Sequence, residues 1–228
     1  MSLNDNRISF MEASKIAQEM VKILDPVCSK IVVVGSLRRM KKDIGDIDIL
    51  TMPRNPKDLD DVLVKVLTGK VTGIGGGWQA IGEFMGIKIN VLKSTPSAWG
   101  ASILHATGPA EFNINLRSIA HNRGYLLNQW GLWMGDSWIC GSSEEEIFRQ
   151  LGFRYVEPQY RSEKNALKPL TFSDVEYDIL SSDGKSVYKV MLQDGDWLCT
   201  HKWYKRGQVC KHILKAQEMY KNSDENQK

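Results

Sequence analysis

The sequence predicts an α+β protein: a mixed sheet with helices over about residues 1–95, a more helical segment to about 161, a linker over 162–171 and a small module over 172–228. Three observations predict it. Apolar residues recur at helical spacing from Phe10 to Leu24. Runs of β type at 31–34, 44–51 and 71–92 enclose a second amphipathic stretch. From about Pro96 the texture changes to helical stretches alternating with short aromatic runs.

Each element has its own signal. Ser9-Phe10-Met11-Glu12 fits a capping box, in which the serine oxygen and the glutamate satisfy free amides at a helix start. Phe10, Ala13, Ile16, Ala17, Met20, Val21 and Leu24 then share a helical face, and Asp25-Pro26 ends it. Ile31-Val32-Val33-Val34 reads as a buried strand running into Gly35-Ser36, and Ile44 to Thr51 alternates as a strand. A second helix is expected from Lys57 to Leu67, closed by Gly69. Two or three strands follow between Val71 and Leu92, with turns at Gly73 and Gly75–Gly77. Helices are expected at Ala98–Ala106 and Phe112–Arg123, then short strands near Leu126, Trp133 and Trp138, and a capped helix from Ser143 to Leu151. Residues 161–169 are polar and aperiodic; beyond them Val187–Leu192 alternates and a helix is expected over 211–220.

Composition narrows the classes. A chain of 228 residues suggests one or two domains, at roughly 100–200 residues each. Apolar content of 42% with 25% charge supplies a packed core and argues against a disordered chain. No apolar run approaches the ~18–20 residues that cross a bilayer, so a soluble, cytoplasmic protein with no membrane partner is expected; a monomer is expected as well. Four scattered cysteines are too few for a secreted disulfide framework. The net charge of +3 is small, but Lys202, Lys205, Arg206, Lys211 and Lys215 fall in a stretch without acidic residues, interleaved with Trp203 and Tyr204. That is a candidate DNA-binding face with stacking groups.

The chemistry concentrates in Gly35-Ser36-Leu37-Arg38-Arg39 and Asp46-Ile47-Asp48. A strand entering Gly-Ser at a helix start offers amides and a hydroxyl to a phosphate, and Arg38 and Arg39 add fork-shaped cations. Asp46 and Asp48 stand two apart on a strand, so both carboxylates project from one face while Ile47 and Ile49 point into the core. Paired carboxylates beside a phosphate cradle make a Mg²⁺ (or Mn²⁺) site for phosphoryl or nucleotidyl transfer. An Asp-x-Asp alone means little; joined to the Gly-Ser-x-Arg-Arg element it is specific.

Gly-Ser-Leu-Arg-Arg followed by Gly-Asp-Ile-Asp-Ile-Leu resembles the palm motif of DNA polymerase family X. The likeness continues through His105-Ala106-Thr107-Gly108-Pro109, Asn113 to Arg117, Asn128-Gln129-Trp130-Gly131-Leu132 and Leu151 to Pro158, over about residues 7–161. It implies a nucleotidyltransferase palm to about residue 95 and a thumb to about 161, most like the small viral members. It further implies Mg²⁺-dependent addition of nucleotides to a DNA 3′ end, in templated short-gap filling during repair. Ser36 and Arg39, with Gly35 and Arg7, resemble the triphosphate contacts, and Asp46 and Asp48 the carboxylates holding two magnesium ions. His105, Ala106, Thr107, Gly108 and Asn113 resemble the nucleotide wall, and Arg117 a DNA contact. The partners implied are primer-template or gapped DNA and nucleoside triphosphates, and with so few residues before the palm no lyase domain is expected.

Two departures follow. Counting seventeen residues back from Thr107 lands on Asn90, where the family carries its third catalytic aspartate. That implies either a naturally impaired member or an Asp→Asn replacement that traps a substrate complex. His105-Ala106 stands where the family has an aromatic pair, which implies weak discrimination against a 2′-hydroxyl. The tail adds Cys199-Thr200-His201 and Cys210-Lys211-His212, two close pairs suited to tetrahedral Zn²⁺. The arrangement resembles the SWIM zinc finger with His201 in place of its second cysteine, on a ββα-like module. Cys28, Cys140 and His121 read as ordinary residues. A template-independent nucleotidyltransferase and a non-catalytic DNA-binding module remain alternatives.

Overall fold

The computed structural model describes residues 7–163, 166–169, 176–182, 184–193, 196–201 and 210–225. The chain opens with β1 (Ile8–Ser9), α1 (Phe10–Leu24), β2 (Cys28–Val33), α2 (Gly35–Arg38), β3 (Asp43–Ile44) and β4 (Asp46–Pro53). Then come α3 (Pro56–Val66), β5 (Thr68–Thr72), β6 (Gln79–Phe84) and β7 (Ile87–Lys93). One sheet has the order β2-β4-β7-β6-β5, with β4 and β7 parallel and the other pairs antiparallel. β1 and β3 form a separate two-stranded ribbon.

The capping box forms: Ser9 accepts the amide of Glu12 at 3.3 Å. From there Ala13, Ile16, Ala17, Met20 and Leu24 turn inward together at helical spacing. They pack with Leu59 and Leu63 of α3 against Ile47, Ile49, Ile89 and Val91, the residues of β4 and β7 that point to this side. Ile47, Ile49 and Ile89 are fully buried, and each such side chain stabilises the fold by about 1.5–3 kcal/mol. Because strand residues alternate, sealing this face sends Asp46, Asp48 and Leu50, and with them Lys88, Asn90 and Leu92, to the other. Trp99, Ile103 and Ala106 cover the Leu50–Leu92 end of that second face, together with Trp78. The carboxylate end lies beyond them.

Some boundaries differ from expectation. The strand expected over 44–51 is interrupted at Gly45 and continues as β4 to Pro53. Gly69 does not close α3: the helix ends with Leu67 already extended, and Gly69, at φ +71°, lies in β5 where the register with β6 shifts. The β6–β7 hairpin turns on Met85 and Gly86, both at positive φ, a pair without the usual asparagine–glycine signature.

The second unit comprises α4 (Trp99–Thr107), α5 (Ala110–Asn122), β8 (Leu126–Asn128), β9 (Gly131–Met134), β10 (Ser137–Cys140) and α6 (Glu144–Gln150). Its core gathers Leu104, Phe112, Leu116, Leu132, Ile147 and Phe148. Gly100 lets α4 approach α6: a Cβ there would come within 2.1 Å of the Ser143 backbone. Ser143 caps α6 by accepting the Glu146 amide at 3.1 Å.

The expected linker is only partly one. Arg161 is buried, and Phe153 pairs with Pro169 in an isolated bridge, so described residues after 161 fold back onto this unit. The tail is also larger than ββα: β11 (Glu176–Leu180), β12 (Val187–Gln193) and β13 (Asp196–Cys199) form a three-stranded antiparallel sheet under α7 (Lys211–Glu225). Gln217 of α7 is buried against α6, where it accepts from Gln150 Nε2 at 2.5 Å and donates to the Gln150 carbonyl at 3.2 Å. Among the described residues no helix is long and apolar enough to cross a membrane.

Candidate active site

Parallel pairing sets Asp48 directly beside Asn90 and Asp46 beside Lys88. The Asn90 amide nitrogen donates to Asp48 Oδ1 at 2.7 Å and to Asp46 Oδ2 at 3.3 Å, so the two carboxylates converge on one point. Burial pushes the Asp48 carboxyl above the ordinary carboxylate range, and Asp46 adds to the push; the Asn90 amide and the Arg39 cation oppose it. Lys88 Nζ lies 4.0 Å from Asp46 Oδ2. Gly35, at φ +63°, fits here because its Cα faces Asp48: a Cβ would come within 2.0 Å of Asp48 Oδ2.

These groups suit a hard divalent cation such as Mg²⁺ or Mn²⁺, which takes oxygen donors. Two carboxylate oxygens already face one point, and Asn90 Oδ1 is buried without a hydrogen-bond partner. Turning that amide over would aim a third, uncharged oxygen at the same point. The donor set therefore fits a cation held by Asp46 and Asp48, with one negative charge fewer than three carboxylates would supply.

Beside the carboxylates a cleft of about 620 Å³ is lined by Arg7, Ser36, Arg39, Lys41, Lys42 and Asp46. Ser36 Oγ and Arg39 Nε are buried there without hydrogen-bond partners. A buried orphan donor costs about 1–3 kcal/mol, and an anionic oxygen would satisfy both. Burial pulls the Arg39 guanidinium down against the Asp48 carboxylate. Arg39 also donates to the Thr107 carbonyl, which ties the cleft to the end of α4. Arg7 donates to the Asp43 carbonyl at 3.5 Å. An apolar groove of similar volume between α1 and β2 contains none of the carboxylates.

The second unit adjoins Arg39 through the end of α4. His105, Ala106 and Thr107 end α4, and Gly108, at φ +64°, leads into α5. Asn113 donates to the His105 carbonyl at 2.8 Å, and Arg117 donates to the Asn113 carbonyl at 3.2 Å. Burial, with Arg117 nearby, lowers the His105 pKa.

A buried ionic cluster joins the units. Arg38 donates to Thr107 Oγ1 at 2.7 Å and to Glu144 Oε2 at 2.5 Å. Arg161 Nη1 lies 2.8 Å from Glu144 Oε1 in ion-pair rather than hydrogen-bond geometry. Tyr155 donates to Glu144 at 3.2 Å. Sequence reasoning placed Arg38 near phosphate; its contacts lie instead in this junction. It also missed Glu144, Arg161 and Lys88. Only Lys88 had a local signal, its two-residue offset from Asn90.

In the tail, ligand atoms of Cys199, Cys210 and His212 lie within 4.8 Å of one another. His212 Nδ1 is 3.7 Å from Cys199 Sγ and 3.9 Å from Cys210 Sγ. His201 is not in that group; its amide donates to Cys199 Sγ at 3.4 Å and its ring sits edge-on to Tyr188 at 5.1 Å. Lys202, Lys205 and Arg206 lie outside the described residues.

The model of the DNA polymerase beta palm matches residues 7–75, and that of the DNA polymerase beta thumb matches 102–162. The Repair DNA polymerase X of African swine fever virus (isolate Tick/Malawi/Lil 20-1/1983) is 28% identical over 155 residues, 63% of this chain and 86% of that protein. The DNA polymerase/3′-5′ exonuclease of Bacillus subtilis (strain 168) is 23% identical over 146 residues, 61% of this chain and 25% of that one. The structure of Leishmania infantum polymerase beta in a ternary P/T complex shares the fold, with a TM-score of 0.60 and 20% identity over 69% of this chain and 77% of that one. With palm and thumb matched in order across more than half of its length, the chain belongs to DNA polymerase family X.

Proposed function

We propose that the chain is a DNA-directed DNA polymerase that adds nucleotides to a DNA 3′ end, in templated short-gap filling during repair. One observation carries the reading: Asp46 and Asp48 converge beside a cationic cleft in which Ser36 Oγ and Arg39 Nε are buried without partners. In this reading Ser36, Arg39 and Arg7 hold the triphosphate, with Gly35 keeping the backbone clear of Asp48. Asp46 and Asp48 hold Mg²⁺ or Mn²⁺, which when bound neutralises phosphate charge and activates phosphorus toward attack. The ends of α4 and α5, through His105, Thr107, Gly108 and Asn113, face the nucleotide, and Arg117 the DNA. Residues 1–95 act as palm and 96–161 as thumb.

Asn90 limits this chemistry. An amide can neither take the proton of a primer 3′-hydroxyl nor add charge for a second cation. Nucleotide binding is therefore expected to outlast turnover, and Asn90→Asp to raise single-nucleotide insertion into a gapped duplex by about 10²-fold or more. An unchanged rate, with DNA still bound tightly, favours the other reading that Asn90 recommends, a DNA-binding module without catalysis. The small Ala106 side chain supports weak sugar discrimination, which comparing deoxy- and ribonucleotide insertion would test.

The tail reads as a Zn²⁺ module, supported by the Cys199–Cys210–His212 group. His201 would become the fourth ligand by a rotation of its side chain. A formally neutral Cys₂His₂ site leaves the field of Lys202, Lys205 and Arg206 undiminished for DNA.

A further inference from the structure

Trp78 is an aromatic side chain that neither the carboxylate pair nor the phosphate cleft uses. It follows the glycine run Gly75–Gly77, and its setting is firm. Its carbonyl accepts the Lys93 amide at 2.7 Å. Lys93 Nζ pairs at 2.5 Å with Asp60, whose second oxygen accepts the Gly75 amide at 3.1 Å. The β5–β6 connection is thus anchored at its centre and at its end. The half-buried indole packs against Val34, Leu50 and Leu92, on the sheet face that carries Asp48 and Asn90.

Two further rings meet it edge-on from the thumb: His105 at 5.6 Å and Trp130 at 6.4 Å between centroids. Trp130 is 38% exposed. Packing on the sheet accounts for one side of Trp78. It does not account for a palm indole extended outward by two partly exposed thumb rings, one of them bonded through its carbonyl to Asn113. Rigid aromatic faces bind nucleobases by stacking, whatever the base, because every base has a π-face.

We propose that Trp78 stacks on a nucleobase of the bound substrate, braced by Trp130. The inference rests on the polymerase reading above. The base belongs to a bound DNA strand or to the incoming nucleotide; the stacking chemistry is the same, and the test separates the two sources.

The full-length chain, Trp78→Ala and Trp78→Phe would each be titrated with a gapped duplex and with a series in which one nucleotide beside the gap is abasic. A second arm measures deoxynucleoside triphosphate binding to the protein–DNA complex with a chain-terminated primer. Trp78→Ala should weaken binding about tenfold in one arm, and Trp78→Phe should keep most of the affinity. For a strand base, the penalty disappears only on DNA abasic at the contacted position. For the nucleotide, it appears only in the second arm. A merely structural indole would cost intact and abasic DNA equally; that result, or no loss in either arm, overturns the proposal. If the unaltered chain binds neither DNA nor nucleotide, the polymerase reading falls first and takes this inference with it.

Discussion

Glu144 offers the sharpest energetic test of how palm and thumb are joined. Its carboxylate is almost wholly buried between two guanidinium groups, Arg38 from the palm at 2.5 Å and Arg161 at 2.8 Å, with the Tyr155 hydroxyl at 3.2 Å. Glu144→Gln preserves volume and one acceptor oxygen but removes the only acidic side chain touching either cation among the described residues. The Arg161 head is fully buried, whereas that of Arg38 is 21% exposed and partly hydrated. Removing one partner of a buried pair costs about 3–5 kcal/mol, and the hydration of Arg38 points to the lower end, about 3 kcal/mol. For a chain of this size that lowers the midpoint of thermal unfolding by about 6–12 °C. Urea unfolding at unchanged m value, with calorimetry beside it, measures both. Changing Arg161 to Gln as well should recover part of the loss, because the stranded cation disappears with it. A loss below about 1 kcal/mol, or a double variant no better than the single one, would refute this electrostatic account.

Gly35→Ala should abolish metal binding and nucleotide insertion while leaving most of the fold intact, because the methyl would displace Asp48 and the backbone sits at φ +63°. Isothermal titration with Mn²⁺ and circular dichroism would separate the two effects, and retained Mn²⁺ affinity would contradict the assigned contact. The tail should bind one Zn²⁺ per chain, lost in Cys210→Ser and Cys199→Ser, with unfolding of the tail at lower temperature in the metal-free form. Elemental analysis showing less than one zinc in the unaltered chain, or full zinc in those variants, would remove the metal from the tail.

Much of the site was legible because its signals are local. Asp46 and Asp48 occupy one face of a strand by pleat alone, and the hydrophobic Ile47 and Ile49 between them settle which face is buried. The capping box at Ser9, the cap at Ser143 and the glycine at the Val34–Ser36 bend are equally local. Asn90 is marked only by the resemblance to the family, through its spacing from Thr107, and the parallel pairing puts it level with Asp48. Gly69 and Met85-Gly86 were misread or missed for the same reason in reverse. A glycine two residues past a helix looks like its cap until a strand begins there, and methionine–glycine announces no turn.

What the sequence determined by itself, then, were most of the elements and the face of β4 that carries the acids, since periodicity and neighbouring side chains decide these. Only tertiary structure decided that Arg38 serves the palm–thumb junction and Arg39 the cleft, that Glu144 lies between Arg38 and Arg161, that Trp78 meets His105 and Trp130, and that Cys199, Cys210 and His212 gather without His201. The physical reason is range. Pleat, caps and helical spacing act over a few residues, whereas each of these contacts joins side chains distant in sequence or depends on how a single rotamer packs.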